Sequence, residues 1–514
     1  MTQTTRLGLM LLPAALLIGL LGDALLRATP WGLNILLWVG ALLGVFWLLA
    51  RRQQMWPTGE GIWLGIPALL LAGGLAWRDS GTLRAIDVCG LVCCLGFGAA
   101  RTRAGQVRLA GFFEYFGGIF RSAFLTVLGI FPLLFRDITW DTVPRTGLLP
   151  KVLAVGRGLI LVLPLLLLFG GLLTAADPIY QKLVGTWLHF DINALLGHLC
   201  MTAFFACLAA GFGRMLFIVE TPIADPEQQR AKLPSLGVLE TGTILGLLNL
   251  LFLSFVLVQI RYFFGGAATV SATAGLTYTQ YARTGFFELA WVSALVLPCL
   301  LGLHRLQVPS NARAQTLFSS QAAVQVGLLS VILASAVMRM RLYQQTCGLT
   351  ELRLYTMAFM GWLAVIFVWF VLTVLRGRRD RFAFGAVVAA FGLVLGLHIL
   401  NPDAFIVRSN AARAVQTHVF DGEYAAALSG DAVPPLIAAL PTLPVAAQQQ
   451  IAAALLPAWS QDTSDWRSWN WGRMSAFYAV QSRQKLLQSS LPPPVVAAPA
   501  AQTTTTLVSR KAGP

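Results

Sequence analysis

Apolar residues run along this chain in stretches of about twenty, separated by short polar segments. Eleven such stretches stand out, at 7–26, 31–50, 62–77, 83–100, 152–175, 192–218, 239–261, 284–304, 321–341, 353–376 and 383–400. A hydrocarbon core of ~30 Å takes about 20 apolar residues to cross as a helix, so each stretch is predicted to span a membrane. None shows the period-two alternation of a membrane barrel, and a helix is the other structure that satisfies its own backbone in lipid. The predicted fold is all-α, a polytopic bundle of about eleven transmembrane helices.

One stretch breaks the pattern. Gly111 to Phe135 is long enough to cross, yet Phe112, Phe116, Ile119, Phe120, Phe124, Val127, Phe131 and Leu134 fall on one stripe, with Glu114, Arg121 and Ser122 opposite. A helix with that pattern lies in the interface. Charge supports this reading. With the segment interfacial, the loops on the side of the N-terminus carry the arginines and lysines by roughly two to one. If the segment crossed, Arg376, Arg378, Arg379 and Arg381 would change sides and the bias would reverse. The positive-inside rule therefore places the N-terminus in the cytoplasm and the C-terminus outside.

Beyond the last stretch the composition changes. Residues 401–490 have the periodicity of a small helical domain on the outer side, with Asp421 as a helix cap and Pro434 and Pro435 in a first helical turn. Ser464 or Asp465 is read as the start of a further helix carrying Trp466, Trp469, Met474 and Phe477. Residues 491–514 read as a disordered tail. The chain thus divides into a four-span region (1–150) with the interfacial helix near 111–135, a seven-span core (151–400), the helical domain and the tail.

Hydrophobic residues make up 57% of the chain, which sets aside a set of soluble domains. The net charge of +15 is then read as basic loops meeting anionic headgroups, with the bilayer as partner and no nucleic acid. Arg6 and Leu7–Leu21 resemble a signal peptide but lack an A-x-A site, so they are taken as the first span. Cys89, Cys93 and Cys94 share one apolar run without an accompanying His or acid set, and read as packing residues. Neither a metal nor a cofactor is predicted, since the chain has no P-loop, H-E-x-x-H, G-x-S-x-G or dinucleotide fingerprint.

The remaining polar clusters all fall on the predicted outer side. They supply the candidate residues Asp177, Tyr281, Arg283, Glu288, Arg341, Glu351, Arg353, Asp403 and Arg408. Each has a structural explanation. Thr284 or Gly285 can begin a helix whose first turn holds Glu288, Gly348 can end one, Thr350 can cap the next, and Asp403 can cap the helix bearing Arg408. Asp23 and Asp87 are read as snorkelling at span ends, and Gly40/Gly44 and Gly392/Gly396 as close-packing motifs. Basic residues in an outer loop nonetheless run against the charge bias and need partners or water. Arg283, Glu288, Arg341, Glu351 and Arg353 are therefore expected to line one outward polar cluster, covered by the C-terminal domain.

The motifs YARTGFFEL, RLYQQTCGLTELRLY, NPDAFIVRSN, DGEYAAALSGDAVPPL and DWRSWNWGRMSA recur in this order in a bacterial multi-pass inner-membrane family. From about Lys151 to Ala476 the chain resembles that family, catalogued only as a domain of unknown function (4153/4173 type). The resemblance implies a bacterial cytoplasmic membrane and no activity, so it carries over no catalytic residue. Three readings stay open: an envelope enzyme acting on a lipid-linked or phosphate-bearing substrate, a transporter, and a non-catalytic sensor or scaffold whose outer domain meets an envelope protein or lipid.

Overall fold

The computed structural model describes residues 2–55, 59–102, 107–143 (except 109), 192–219, 236–274, 286–307, 312–460 and 465–491, with scattered positions between 158 and 180. Most of the predicted fifth span, the motif around Arg283 and the tail lie outside these residues.

Ten helices among the described residues are long and apolar enough to cross a membrane. They are α1 (Gln3–Leu26), α2 (Leu33–Arg52), α3 (Gly65–Trp77, extended to Glu60 by a 3-10 turn), α4 (Gly81–Arg101), α6 (Ile192–Phe217), α7 (Val238–Ala274), α8 (Phe286–Leu306), α9 (Ala312–Cys347), α10 (Glu351–Thr373) and α11 (Phe382–Leu400). Each apolar stretch predicted within the described residues became a helix, with ends moved by up to a few turns. Between α4 and α6 lies α5 (Phe112–Leu128).

The spans pack in two groups. One hydrophobic core joins α1–α4 with α6, and a second joins α7–α10. Helix α11 touches both, with Phe391 and Val394 against the first and Phe382 in the second. In lipid, helices gain little from hydrophobicity itself, so close approach depends on small residues. The α1–α6 seam shows this. A Cβ on Gly19 would sit 2.5 Å from the Thr202 carbonyl oxygen, and one on Gly22 2.6 Å from the Phe205 ring. By contrast, a Cβ on Gly40, Gly44, Gly392 or Gly396 would meet nothing within 4 Å. Among the described residues no neighbouring helix packs on these two G-x-x-x-G pairs, in contrast to the sequence expectation.

Helix α5 and its short continuation Ile130–Asp137 bend by 53° at Gly129. Both ends lie at the same end of the bundle. Glu114 pairs with Arg101, in the last turn of α4, at 2.7 Å. Asp137 accepts from Nε of Arg214, near the end of α6, at 2.5 Å, and Thr139 hydrogen-bonds Thr5 at the start of α1, at 2.7 Å. The segment runs across that end without crossing the bundle. Phe116, Phe120, Phe124 and Phe131 point away from the protein, while Ser122 is buried against it.

At the opposite end sits a helical domain formed by α12 (Pro402–Thr417), α13 (Gly422–Ala427), α14 (Val433–Ala439), α15 (Val445–Ala458), α16 (Trp471–Ser482) and α17 (Gln484–Ser489). Its core holds Leu436, Ile437, Ile451, Leu455, Val480 and Leu487. Asp421 caps α13, accepting from the Tyr424 N–H at 2.9 Å, and α14 carries its prolines in the first turn. The tryptophan-rich segment differs from expectation. Asp465 heads only a 3-10 turn, Trp466–Ser468, and α16 starts afresh at Asn470, which is extended and caps the Arg473 N–H at 3.0 Å.

Candidate functional site at the domain–bundle junction

The α3–α4 connection is only three residues, Arg78-Asp79-Ser80, too short to reach away from the bundle. The domain closes over it. The Asp79 N–H donates to Asp431 Oδ2 at 2.6 Å, and the Gly430 N–H donates back to Asp79 Oδ2 at 3.0 Å. Each aspartate thus accepts a backbone proton from the other's segment. Arg78 lies 3.4 Å from Asp431, and Arg473 donates to Asp79 Oδ1 at 2.9 Å, with Arg84 at 3.5 Å from the same oxygen. Arg78 also donates from Nε to the His398 carbonyl at 2.8 Å and stacks on Trp77. These charges are largely out of water, with Asp431 3% and Asp79 10% exposed at the side chain.

Three further contacts complete the clasp. Asn470 donates to the carbonyls of Leu75 and Arg78, both at 2.9 Å, filling acceptors that the end of α3 leaves free. The Leu33 N–H, at the start of α2, donates to the Trp469 carbonyl at 2.9 Å. Gly32 makes that approach feasible, since a Cβ there would lie 2.3 Å from the same carbonyl oxygen. On the α9–α10 turn, Asn410 of α12 pairs with the Leu349 backbone through both its amide groups, each at 2.8 Å.

A second layer lies beneath. Asp403 is fully buried; its Oδ2 accepts from Ser429 at 2.5 Å, and its Oδ1 has no partner. Burial pushes this carboxyl up to about 6; the Ser429 hydrogen bond opposes the shift, and the negative charges of Glu351 and Asp431 add to it. Burial also raises Asp431, against the pull of the Asp79 N–H and Arg78, and lowers Arg473, against the pull of Asp79. Further into the bundle, His398 Nδ1 donates to the Val394 carbonyl at 2.9 Å, and Nε2 lies 3.1 Å from Asp87 Oδ2. With Nδ1 already donating, the second contact is a hydrogen bond only if a proton sits between Nε2 and the carboxylate. Asp87 is buried in this pair and does not snorkel.

The sequence-derived candidates divide. Glu351, Arg353 and Asp403 belong to the junction. The Glu351 N–H donates to the Tyr424 hydroxyl at 2.9 Å, so α10 is capped from the domain and not by Thr350, whose side chain makes no cap bond. Arg353 donates to the Gly348 carbonyl at 2.5 Å and lies over the Tyr343 ring. Asn401 holds the cap position of α12, so Asp403 is freed for Ser429. Glu288, Arg341 and Arg408 are exposed, and no contact among the described residues ties them to the junction. Asp177 is exposed and accepts from its own Ile179 N–H at 2.7 Å. Tyr281 and Arg283 lie outside the described residues. The sequence reading passed over Arg78, Asp79, Asp431, Arg473 and the Asp87–His398 pair. One signal was present: Arg78 and Arg84 are basic residues that oppose the charge bias.

These features define a polytopic helical membrane protein with a helical domain clasped to one end of its bundle. The chain belongs to the DUF4153 family, described as a domain of unknown function, which it matches over residues 65–439. The match begins in α3, well before the motif resemblance at Lys151, and ends in α14, before the tryptophan-rich segment. It includes Arg78, Asp79, Asp403 and Asp431 but not Arg473. No curated protein and no solved structure matches the chain.

Proposed function

We propose that this protein is a non-catalytic scaffold or sensor of the bacterial cytoplasmic membrane. It holds its C-terminal domain rigidly at the extracytoplasmic face, its N-terminus lying in the cytoplasm, for recognition by an envelope partner. The observation that carries the reading is the mutual consumption of the junction's polar groups. Asp79, Asp431, Arg78 and Arg473 satisfy one another across the interface, which suits a clasp and leaves none of these four groups free for a substrate. Exposed aromatic residues of the domain support a recognition role, with Trp466, Trp471 and Tyr478 all more than half exposed.

The test is photo-cross-linking in native membranes from a photoreactive residue at Tyr478. A protein adduct of one discrete mass, lost when Asp79→Ala loosens the clasp, is expected. Adducts to lipid alone, or a protein adduct indifferent to Asp79→Ala, would contradict the scaffold reading. Sidedness is tested separately in a variant lacking the native cysteines. An impermeant maleimide should label Tyr478→Cys in intact cells and spare Arg378→Cys, and the reverse pattern would invert the topology.

A further inference from the structure

At the end of the bundle away from the domain, α2, α3, α4 and α6 enclose an apolar groove of about 780 Å³. That volume lies within the range of small-molecule and lipid-chain sites. Phe46 and Cys94 form its buried floor, and Trp47, Ile62 and Ile66 at its rim are each more than two-fifths exposed toward the surrounding bilayer.

The groove exists because of glycine. Gly40, Gly44, Trp47 and Arg51 recur at helical spacing and so share one face of α2. The two glycines line the groove, and a Cβ on either meets nothing within 4 Å among the described residues. The same face ends in charge. Arg51 lies over the Trp47 ring at 5.5 Å, and Arg51 and Arg52 are both exposed. Nearby carboxylates are engaged elsewhere, Glu60 by Arg108 and Glu114 by Arg101. Arg51 thus stands beside the rim residue Trp47, with Arg52 next to it at the exposed end of α2, and neither has a carboxylate partner among the described residues.

We infer that this groove binds an anionic phospholipid, one acyl chain lying along Gly40 and Gly44 and the phosphate meeting Arg51 and Arg52. A chain supplies the apolar filling that the glycines leave open. Arginine suits the headgroup because its guanidinium can donate two parallel hydrogen bonds to phosphate oxygens. A neutral apolar ligand would leave the paired charges unused.

Native mass spectrometry of the purified full chain, titrated with phosphatidylglycerol or phosphatidylcholine, tests this. The wild type is expected to retain phosphatidylglycerol at least about fivefold more than phosphatidylcholine. Arg51→Gln/Arg52→Gln should abolish the preference, and Gly44→Leu, which fills open space, should lower retention of both lipids at unchanged thermal stability. Equal retention of the two lipids by the wild type would overturn the inference, as would unchanged retention in Gly44→Leu. A Gly44→Leu protein that unfolds more readily without any change in lipid retention would also overturn it, assigning the groove to the chain's own apolar run at 152–175.

Discussion

Asp79 makes four contacts at once: its N–H reaches Asp431, and its carboxylate takes the Gly430 N–H and the Arg473 guanidinium, with Arg84 3.5 Å away. Burying such charges is costly, and their attraction roughly balances that cost, so the net gain from the pair is small. Breaking it is different. Asp79→Ala leaves Arg473 buried without its carboxylate, and the clasp should weaken by about 3–5 kcal/mol. Hydrogen exchange should show this as faster opening of α14 and α16, with the α1–α6 seam unchanged. Asp79→Ala/Arg473→Met should recover much of the loss.

Asp403 gives a pH signature. Its carboxyl is raised when folded, so folding favours the protonated form. The stability it contributes is full below the unfolded value of 3.8 and is lost as pH rises through about 6. A shift of this size is worth on the order of 3 kcal/mol. Thermal unfolding across pH 4–7 should show the domain losing stability with rising pH, and Asp403→Asn should flatten that part of the profile. A wild-type profile already flat over this range would contradict the assignment.

Among the elements, α5 carries the phenylalanine stripe that its sequence pattern predicts. Its phenylalanine stripe was legible because amphipathicity is local, written within seventeen residues. The structure adds what holds it: a Cβ on Gly211 of α6 would come 1.9 Å from the Thr126 carbonyl oxygen of α5. Gly211→Ala should therefore push α5 outward and cost about 1–3 kcal/mol, as overpacking does. A lower midpoint of thermal unfolding in detergent would register it. The short connections were harder to read. Arg78-Asp79-Ser80 looked like a turn between two spans, and Asn470 looked like the interior of a helix begun at Asp465. The first is indeed that turn, but the roles of both escape the local sequence because their side chains serve partners it does not contain.

In the whole molecule, the spans and the C-terminal domain followed from hydropathy, but the site did not. Asp79 and Arg473 are 394 residues apart, Arg78 and Asp431 353, and His398 and Asp87 311. No periodicity or spacing links residues at such separations, since the pairing arises only when hairpin after hairpin returns to one end of the bundle. The charge bias contained a trace of it. Arg27, Arg78, Arg84 and Arg353, basic residues on the sparsely charged side, are each held by an aspartate or by backbone carbonyls. These four exceptions to the bias thus bind something, while Arg341, also on that side, is exposed.

Those contacts fix the domain to four separate parts of the bundle, and rigid docking is the central claim. It can be measured by double electron–electron resonance in nanodiscs, with spin labels at Tyr478 on α16 and Val388 on α11, after the native cysteines are replaced. A single narrow distance distribution is predicted for the wild-type junction, broadening in Asp79→Ala. A broad wild-type distribution, or one that Asp79→Ala leaves unchanged, would contradict it.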